Sequence, residues 1–217
     1  MKRINLFEGD INNHIALGLK AIRDGYIICA PAEHGYLLLA DAFSEFAVRA
    51  MHVKRGDPLG VAAQVLIHSG EAINGIARDL TEETRSLMDA FWPGLISFNV
   101  RPQRGLRWDL GDDNTLDRLS VRVPESPFIA ALLKESGPLA VASAAPAGEK
   151  PLLKLDSTSE FESELALIFD GGELAQGPAT TVIESDSRAM TIIREGAISR
   201  AQLAAVVPAL SSEKPIG

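Results

Sequence analysis

Cationic and hydroxyl side chains stand at several points where a predicted strand or helix ends. They are Lys54, Arg55, Arg122, Ser143, Thr180 and Arg194. Loops at the strand ends of an open α/β sheet can point such groups into one shared crevice. Guanidinium, ammonium and hydroxyl groups that meet in one crevice suit a phosphate and a carboxylate. The residue types therefore indicate an anion-binding cleft.

These side chains also have explanations that need no ligand. Lys54 and Arg55 would offset the helix dipole at the C-terminus of their own predicted helix. Arg122 interrupts the apolar run SVRVP and could pair with a glutamate on a neighbouring strand. The sequence alone leaves both explanations open.

The stretch CAPAEHGYLLLAD, residues 29–41, places a short polar turn between two apolar runs. Residues 31–35 are too polar for a core and too few for a free linker. Glu33 and His34 would either line a site or be solvated turn residues, and solvation is the simpler expectation. The stretch predicts a turn at the rim of a site.

Motifs for several common chemistries are missing. The chain has no Walker A sequence, no G-x-G-x-x-G after a strand, no H-E-x-x-H and no G-x-S-x-G. Asp112 and Asp113 are expected to form an exposed turn, and the single cysteine, Cys29, excludes a cysteine-based zinc cluster. Metal-ligand spacing is also missing among the four histidines, His14, His34, His52 and His68. We predict no metal site.

Composition sets the class of protein. The chain has 217 residues, of which 46% are hydrophobic, and a formal net charge of −8. This charge argues against general attraction to nucleic acid or to an anionic membrane, although a local basic cleft stays open. The N-terminal stretch lacks the apolar core of a signal peptide, and no apolar run reaches membrane-spanning length. We expect a soluble, cytoplasmic protein.

Hydrophobic periodicity predicts an alternation of helices and strands. The predicted helices span 10–24, 44–54, 69–78, 81–92, 126–136, 157–164 and 198–210. The predicted strands span 26–30, 36–40, 62–67, 95–100, 119–123, 138–143, 165–172, 180–185 and 190–195. Residues 101–117 are expected to be irregular and 211–217 to form a frayed tail. No repeat or linker interrupts this order, so the pattern predicts one α/β (α+β) domain over residues 1–217.

Five segments, in order, resemble motifs of one family. They are AFWPGLISFNV, LSVRVPESP, GPLAVASAAPAG, FDGGELAQGPATTVIE and TIIREGAIS, and the short LRWDLGDD also resembles some bacterial members. The family is the YrdC type (YrdC/YciO/TsaC), which comprises threonylcarbamoyl-adenylate (TC-AMP) synthases and their paralogues. The resemblance covers about residues 12–200 and leaves 201–217 as a C-terminal helix and tail. It implies a twisted mixed β-sheet flanked by helices, with an open concave cleft.

The resemblance implies an activity and a set of site residues. Family members bind ATP with magnesium, L-threonine and bicarbonate, and they release pyrophosphate and TC-AMP for the tRNA modification t6A. Carried over position by position, the catalytic residues would be Lys54, Arg122 and Arg194. The nucleotide-binding residues would be Lys54, Arg55, Ser143, Thr180 and Arg194. The substrate-binding residues would be Ala32, His34, Tyr36 and Arg122.

The departures from the family pattern lie mainly at functional positions. The P-T-x-T motif has Ala32 and His34 in place of its threonines, the arginine of K-x-R is replaced by Gly56, and the asparagine of S-x-N is Ala145. These losses leave two functions open: a synthase with degenerate substrate motifs, or a non-catalytic or differently specific paralogue that binds a nucleotide or RNA in the same cleft. A third alternative, a structural domain that serves a partner protein, has no positive feature in the sequence.

Overall fold

The computed structural model describes residues 2–155, 165–187 and 189–211. The strands are β1 (Lys2–Asn5), β2 (Ile28–Pro31), β3 (Tyr36–Asp41), β4 (Gln64–Leu66), β5 (Ala77–Arg78), β6 (Ile96–Pro102), β7 (Leu119–Arg122), β8 (Leu139–Ser143), β9 (Leu167–Asp170), β10 (Thr181–Ser185) and β11 (Met190–Arg194). The helices are α1 (Ile11–Arg23), α2 (Glu45–Arg55), α3 (Ile73–Ile76), α4 (Glu82–Phe91), α5 (Pro127–Ser136) and α6 (Arg200–Val206). Short 3₁₀ turns cover Gly70–Ala72 and Pro208–Ser211.

The strands join one mixed sheet in the order β1-β9-β2-β3-β8-β4-β7-β6-β10-β11, with β5 beside β6. Pairing is parallel for β1 with β9, β2 with β9, β4 with β7, and β6 with β10. The other neighbours run antiparallel. The predicted mixed sheet is therefore confirmed, and so is the closing pair that β10 and β11 form.

Helices cover both faces of the sheet. The alternation of side chains along a strand sends Leu39 to a layer shared with α1 and α5, where it packs with residues such as Ile22 and Leu132. Leu38 points the other way, into a layer that includes Met51 of α2. Leu38 and Leu39 are both fully buried. This two-sided burial explains why β2 and β3 read as continuous apolar runs.

Helix boundaries follow local capping chemistry. The side chains of Asp10, Ser44 and Thr81 accept hydrogen bonds from backbone N–H groups in the first turns of α1, α2 and α4. Helix α2 ends at Gly56, whose φ of 68° lies in the left-handed region that glycine adopts most readily. The predicted N-caps at Asp10 and Ser44 are confirmed, and α1 ends at Arg23, two residues before the predicted stop at Gly25.

Two predicted helices differ from the structure. The segment 69–78 forms a 3₁₀ turn, the four-residue α3 and then β5, which pairs with Pro102 and Arg101 of β6. Asn74 and Gly75 are weak helix formers, so strand pairing decides the end of this segment. The predicted helix 198–210 stops at Val206, because Pro208 cannot continue it. The predicted helix over 157–164 lies outside the described residues.

Two further features depart from the sequence-based expectations. Strand β1 was not predicted, because its short segment buries only Ile4 and pairs at the edge of the sheet with β9. Asp112 is buried rather than exposed, since its Oδ2 accepts hydrogen bonds from Leu116 N (2.7 Å) and Thr115 Oγ1 (3.1 Å). The expected exposure holds for Asp113 alone. Within the described residues, no helix is long and apolar enough to cross a bilayer.

Candidate functional site

A cavity of about 320 Å³ opens where strands β7, β8 and β11 end and where the β2–β3 turn meets the loop before β10. Its lining residues are Ala32, Glu33, His34, Gly35, Tyr36, Leu37, Leu95, Arg122, Ser143, Pro151, Gly177, Pro178, Ala179, Thr180 and Arg194. A larger surface groove of about 690 Å³ on the other side of the β2–β3 turn is mostly apolar and carries no cationic side chain. The chemistry predicted from the sequence is gathered in the smaller cavity.

Arg122 ends β7 with its guanidinium inside the protein. Nη1 lies 3.1 Å from Oε1 of Glu33, and the two side chains are 5% and 9% exposed. The same Oε1 accepts the backbone N–H of Glu125 at 2.7 Å. Among the described residues, however, Nε and Nη1 of Arg122 make no well-aligned hydrogen bond. Arg122 thus has a counter-charge but also two buried donor atoms that no acceptor among the described residues satisfies.

Ser143 presents its hydroxyl to the cavity from the end of β8. Its Oγ accepts the backbone N–H of Ala145 at 3.3 Å, which leaves the hydroxyl proton able to donate. Its carbonyl oxygen accepts a 2.7 Å hydrogen bond from Nη1 of Arg55, whose Nε lies 3.0 Å from Oδ2 of Asp57. The C-terminal end of α2 therefore holds the Ser143 loop in place through Arg55.

Arg194 and Thr180 form the opposite side of the cavity. Nε of Arg194 donates to the carbonyl oxygen of Thr180 at 2.9 Å, and the side chain is otherwise exposed. The neighbouring Thr181 is buried, and its Oγ1 accepts the N–H groups of Gly196 and Ile198 at 3.0 and 2.9 Å. The loop after β11 is fixed against β10, which positions Arg194 at the mouth of the cavity.

Tyr36 lines the cavity, but its hydroxyl is hydrogen-bonded to the loop after β9. Its Oη accepts the N–H of Gly171 at 2.9 Å and lies 2.7 Å from the carbonyl oxygen of Gly172 and 3.1 Å from Oδ1 of Asp170. Burial raises the pKa of this phenol well above its usual value. Tyr36 therefore stays neutral and ties β3 to the loop that leads to the cavity.

Asp170 is a residue of this network that sequence reasoning missed. Burial alone would raise its pKa, but the Gly172 N–H and the Arg3 guanidinium outweigh burial and hold the pKa below its usual range. Arg3 Nη2 lies 2.9 Å from Asp170 Oδ2 and donates to the carbonyl oxygen of Leu155. The one available signal was the position of Asp170 directly after the apolar LIF and before the double glycine.

His34 is more than a solvated turn residue, contrary to the favoured expectation. Its Nδ1 lies 2.9 Å from the carbonyl oxygen of Ala175, across the cavity from the β2–β3 turn. The imidazole packs so closely on Gly177 that a Cβ at that position would come within 2.4 Å of three ring atoms. The ring is only partly exposed.

The structure brings together seven of the nine predicted site residues and leaves two apart. Lys54 and Arg55 do not belong to the lining of this cavity. Both stand in the last turn of α2, as the helix-dipole explanation requires, and Arg55 acts on the site only through Ser143. The alternative for Arg122 is also confirmed in part, because its glutamate partner is real but belongs to the β2–β3 turn and not to a strand.

Two of the departures from the family motifs have structural consequences of their own. Ala145 is fully buried, so an asparagine there would need new space. Gly56 adopts a left-handed conformation, in which an arginine would be strained. Ala32 differs, since it is partly exposed and lines the cavity.

Fold and cavity together define a class of protein. A helix-covered mixed sheet carries, at its strand ends, a cavity with two arginines, two hydroxyl side chains and a short polar turn. Such a set of donors is suited to holding an anionic substrate in place. Groups of three or more His, Cys, Asp or Glu side chains that could hold a metal are absent from the part of the chain that the structure describes.

Residues 20–196 match the model of the Sua5/YciO/YrdC family, which carries the description "Telomere recombination". The chain belongs to this family. It is 33% identical over 194 residues to the "Putative threonylcarbamoyl-AMP synthase" of Mycobacterium leprae, covering 89% of this chain and 87% of that protein. It is 26% identical over 202 residues to the threonylcarbamoyl-AMP synthase of Bacillus subtilis, covering 92% of this chain and 58% of that protein.

The fold also resembles that of a solved member. The crystal structure of Pyrococcus abyssi Sua5 complexed with L-threonine superposes with a TM-score of 0.85 at 25% identity. That alignment covers all of this chain and 65% of the Sua5 chain. The chain therefore spans less than two thirds of the B. subtilis and P. abyssi proteins but most of the mycobacterial one.

Proposed function

We propose that this protein is a threonylcarbamoyl-AMP synthase that uses ATP, L-threonine and bicarbonate and releases pyrophosphate. The observation that carries the proposal is the single cavity that combines Arg122, Ser143, Thr180 and Arg194 in a member of this family. The named relatives and the threonine complex of P. abyssi Sua5 support the same substrate class. No comparison favours the alternative of a non-catalytic paralogue.

The reaction would take place in two steps. The amine of threonine attacks the carbon derived from bicarbonate, which gives a carbamate and water. A carbamate oxygen then attacks the α-phosphorus of ATP, and the bond from that phosphorus to the bridging oxygen of pyrophosphate breaks. The protein takes little direct part in the covalent chemistry, so catalysis depends on positioning the substrates and stabilising their charges. Magnesium would enter with ATP, held largely by phosphate oxygens and water.

Each side of the cavity has a role in this scheme. Arg194, exposed at the mouth and held only through Nε in the described structure, would donate its remaining N–H groups to phosphate oxygens. Ser143 would donate its hydroxyl to the nucleotide. Arg122, buried beside Glu33, would face the amino-acid side, where its spare donors suit a carboxylate. Lys54 would reach the triphosphate only from beyond the cavity lining, at the end of α2.

The product would feed the t6A modification of tRNA, and a cytoplasmic location is part of this proposal. With a net charge of −8, the chain is better suited to a nucleotide than to extended RNA contacts. Direct tRNA binding is therefore not required by the proposal.

Pyrophosphate release tests the proposal. Purified protein is incubated with ATP, magnesium, L-threonine and bicarbonate, and pyrophosphate and the adenylate product are measured by a coupled assay and by mass spectrometry. We expect both products, and we expect both to disappear when threonine or bicarbonate is omitted. Pyrophosphate at background level with threonine, together with measurable ATP binding by calorimetry, would support a differently specific paralogue instead.

A further inference from the structure

His34 connects two segments that are far apart in the chain. It stands in the β2–β3 turn, and its Nδ1 lies 2.9 Å from the carbonyl oxygen of Ala175 in the loop between β9 and β10. A carbonyl oxygen can only accept a hydrogen bond, so Nδ1 must carry the proton. This requirement selects one tautomer of the neutral ring, with hydrogen on Nδ1.

Gly177 packs directly against the same ring. A Cβ at this position would lie 2.2 Å from Nε2 and 2.3 Å from Cδ2 and Cε1 of His34. The φ angle of Gly177 is not positive, so its backbone does not by itself require glycine. The glycine instead leaves room for the imidazole.

The loop that His34 holds leads directly to the predicted phosphate ligands. Gly177, Ala179 and Thr180 line the cavity, and the carbonyl oxygen of Thr180 accepts the Nε–H of Arg194 at 2.9 Å. Residues 175–179 are exposed, and none of their N–H groups donates a backbone hydrogen bond to the rest of the described chain. The carbonyl oxygen of Ala179 accepts the Ala197 N–H at 2.8 Å and holds the C-terminal end of the loop. The imidazole is thus the side-chain anchor of the preceding part, residues 175–177, whose N–H groups have no backbone acceptor in the described chain.

We propose that His34 is a positioning residue that clasps the loop 175–180 across the cavity and thereby sets the place of Thr180 and Arg194. The clasp consists of the Nδ1–H donor to Ala175 and the seat that Gly177 leaves for the ring. In this role His34 acts on the nucleotide through the loop, and it needs no contact with the substrate. The kinetic part of this inference rests on the proposed function; the structural part does not.

Four substitutions separate the clasp from other roles. Asparagine places an amide donor near the position of Nδ1, whereas glutamine reaches only the position of Nε2, so His34→Asn keeps the hydrogen bond to Ala175 and His34→Gln loses it. His34→Ala removes the ring. Gly177→Ala leaves His34 intact but displaces its imidazole, because the added Cβ would overlap the ring. His68→Asn and Gly75→Ala serve as controls, because His68 is exposed outside the cavity and a Cβ at Gly75 meets no atom within 4 Å.

Nuclear magnetic resonance gives a readout that needs no activity. We expect long-range proton–nitrogen spectra to show the proton of neutral His34 on Nδ1. Backbone ¹⁵N order parameters for residues 175–177 and Ala179 should fall in the His34→Ala, His34→Gln and Gly177→Ala proteins and stay at the wild-type level in His34→Asn. A proton on Nε2, or wild-type order in all the variants, would overturn the proposal.

Kinetics then tests the effect on the site. We expect the KM for ATP to rise about five-fold in His34→Ala, as for one lost hydrogen bond, with a smaller change in kcat and with recovery in His34→Asn. The double variant His34→Ala/Gly177→Ala should have a KM for ATP no higher than that of His34→Ala. The space that the imidazole leaves accommodates the new methyl group. Recovery by glutamine in place of asparagine would assign the function to Nε2 and contradict the clasp. If threonine gives no turnover, the same comparison is made on the ATP dissociation constant, so the proposed function can fail while the clasp is still decided.

Discussion

The guanidinium of Arg122 and the carboxylate of Glu33 form a buried ion pair, with Nη1 3.1 Å from Oε1 and both side chains less than a tenth exposed. The pair joins the end of β7 to the β2–β3 turn, and the Glu125 N–H gives the carboxylate a second partner. Because the carboxylate of Glu33 compensates the charge of Arg122, the guanidinium can lie buried at the wall of the cavity. Removing either partner would leave the other charge buried without compensation.

Glu33→Gln should destabilise the fold markedly. The amide keeps an acceptor for the Glu125 N–H but removes the counter-charge of Arg122, so we expect the free energy of unfolding to fall by about 3 kcal/mol. Urea denaturation monitored by tryptophan fluorescence measures the change. The control is Glu125→Gln, whose side chain is exposed and should change stability by less than about 0.5 kcal/mol. Equal stability of the two variants would show that the pair is not a structural element.

Arg194→Ala should weaken nucleotide binding without loss of stability. The side chain is exposed and bonded to the fold only through its Nε, so its removal costs the scaffold little. A lost charge-assisted contact with phosphate corresponds to about a ten-fold rise in the ATP dissociation constant. Isothermal calorimetry and thermal denaturation measure the two quantities, with exposed Arg23→Ala as the matched control. Unchanged ATP affinity would remove Arg194 from the site.

The sequence predicted the strand ends better than it predicted which side chains meet there. Arg122, Ser143, Thr180 and Arg194 end or flank strands with clear apolar runs, and they do share a cavity. Lys54 and Arg55 followed an equally clear helix, yet the direction of a side chain at a helix end depends on tertiary packing, and Arg55 turns to Ser143 and Asp57.

The remaining surprises come from long-range pairing. The Tyr36–Asp170–Arg3 network and the contact of His34 with Ala175 join residues more than 130 positions apart. No periodic pattern encodes such contacts. Strand β1 was not predicted for the same reason: its partner β9 lies at the other end of the chain.

Asp170→Asn should alter the acid side of the stability profile. The pKa of Asp170 is lower in the folded protein than its ordinary value, so its contribution to stability is present above the unfolded pKa, about 3.9, and is lost as pH falls through the folded pKa. The variant should therefore be less stable than wild type at pH 7 and approach wild type as the pH falls through the folded pKa of Asp170. Urea titrations between pH 7 and pH 2.5 test this, with exposed Asp89→Asn as the control. A stability difference that does not change with pH would mean that the loss at pH 7 is steric.

Ala32→Thr is the restoration of a family residue that this structure can accept. Gly56 is left-handed and Ala145 is fully buried, so an arginine or an asparagine at those positions would bring strain of its own. Ala32 instead lines the cavity, is partly exposed, and has a backbone already fixed by its N–H bond to the carbonyl oxygen of Gly35 at 3.0 Å. A hydroxyl added here should donate to the amino-acid substrate.

For this variant we expect the KM for L-threonine to fall about five-fold, the value of one added hydrogen bond, with the KM for ATP unchanged. Ala32→Val, which has the same shape without the hydroxyl, separates the hydrogen bond from the added bulk. Initial rates of pyrophosphate release over a range of threonine concentrations give both constants. If valine and threonine at position 32 have the same effect, the acceptor amino acid does not bind beside this turn, and its subsite must be sought nearer to Arg122.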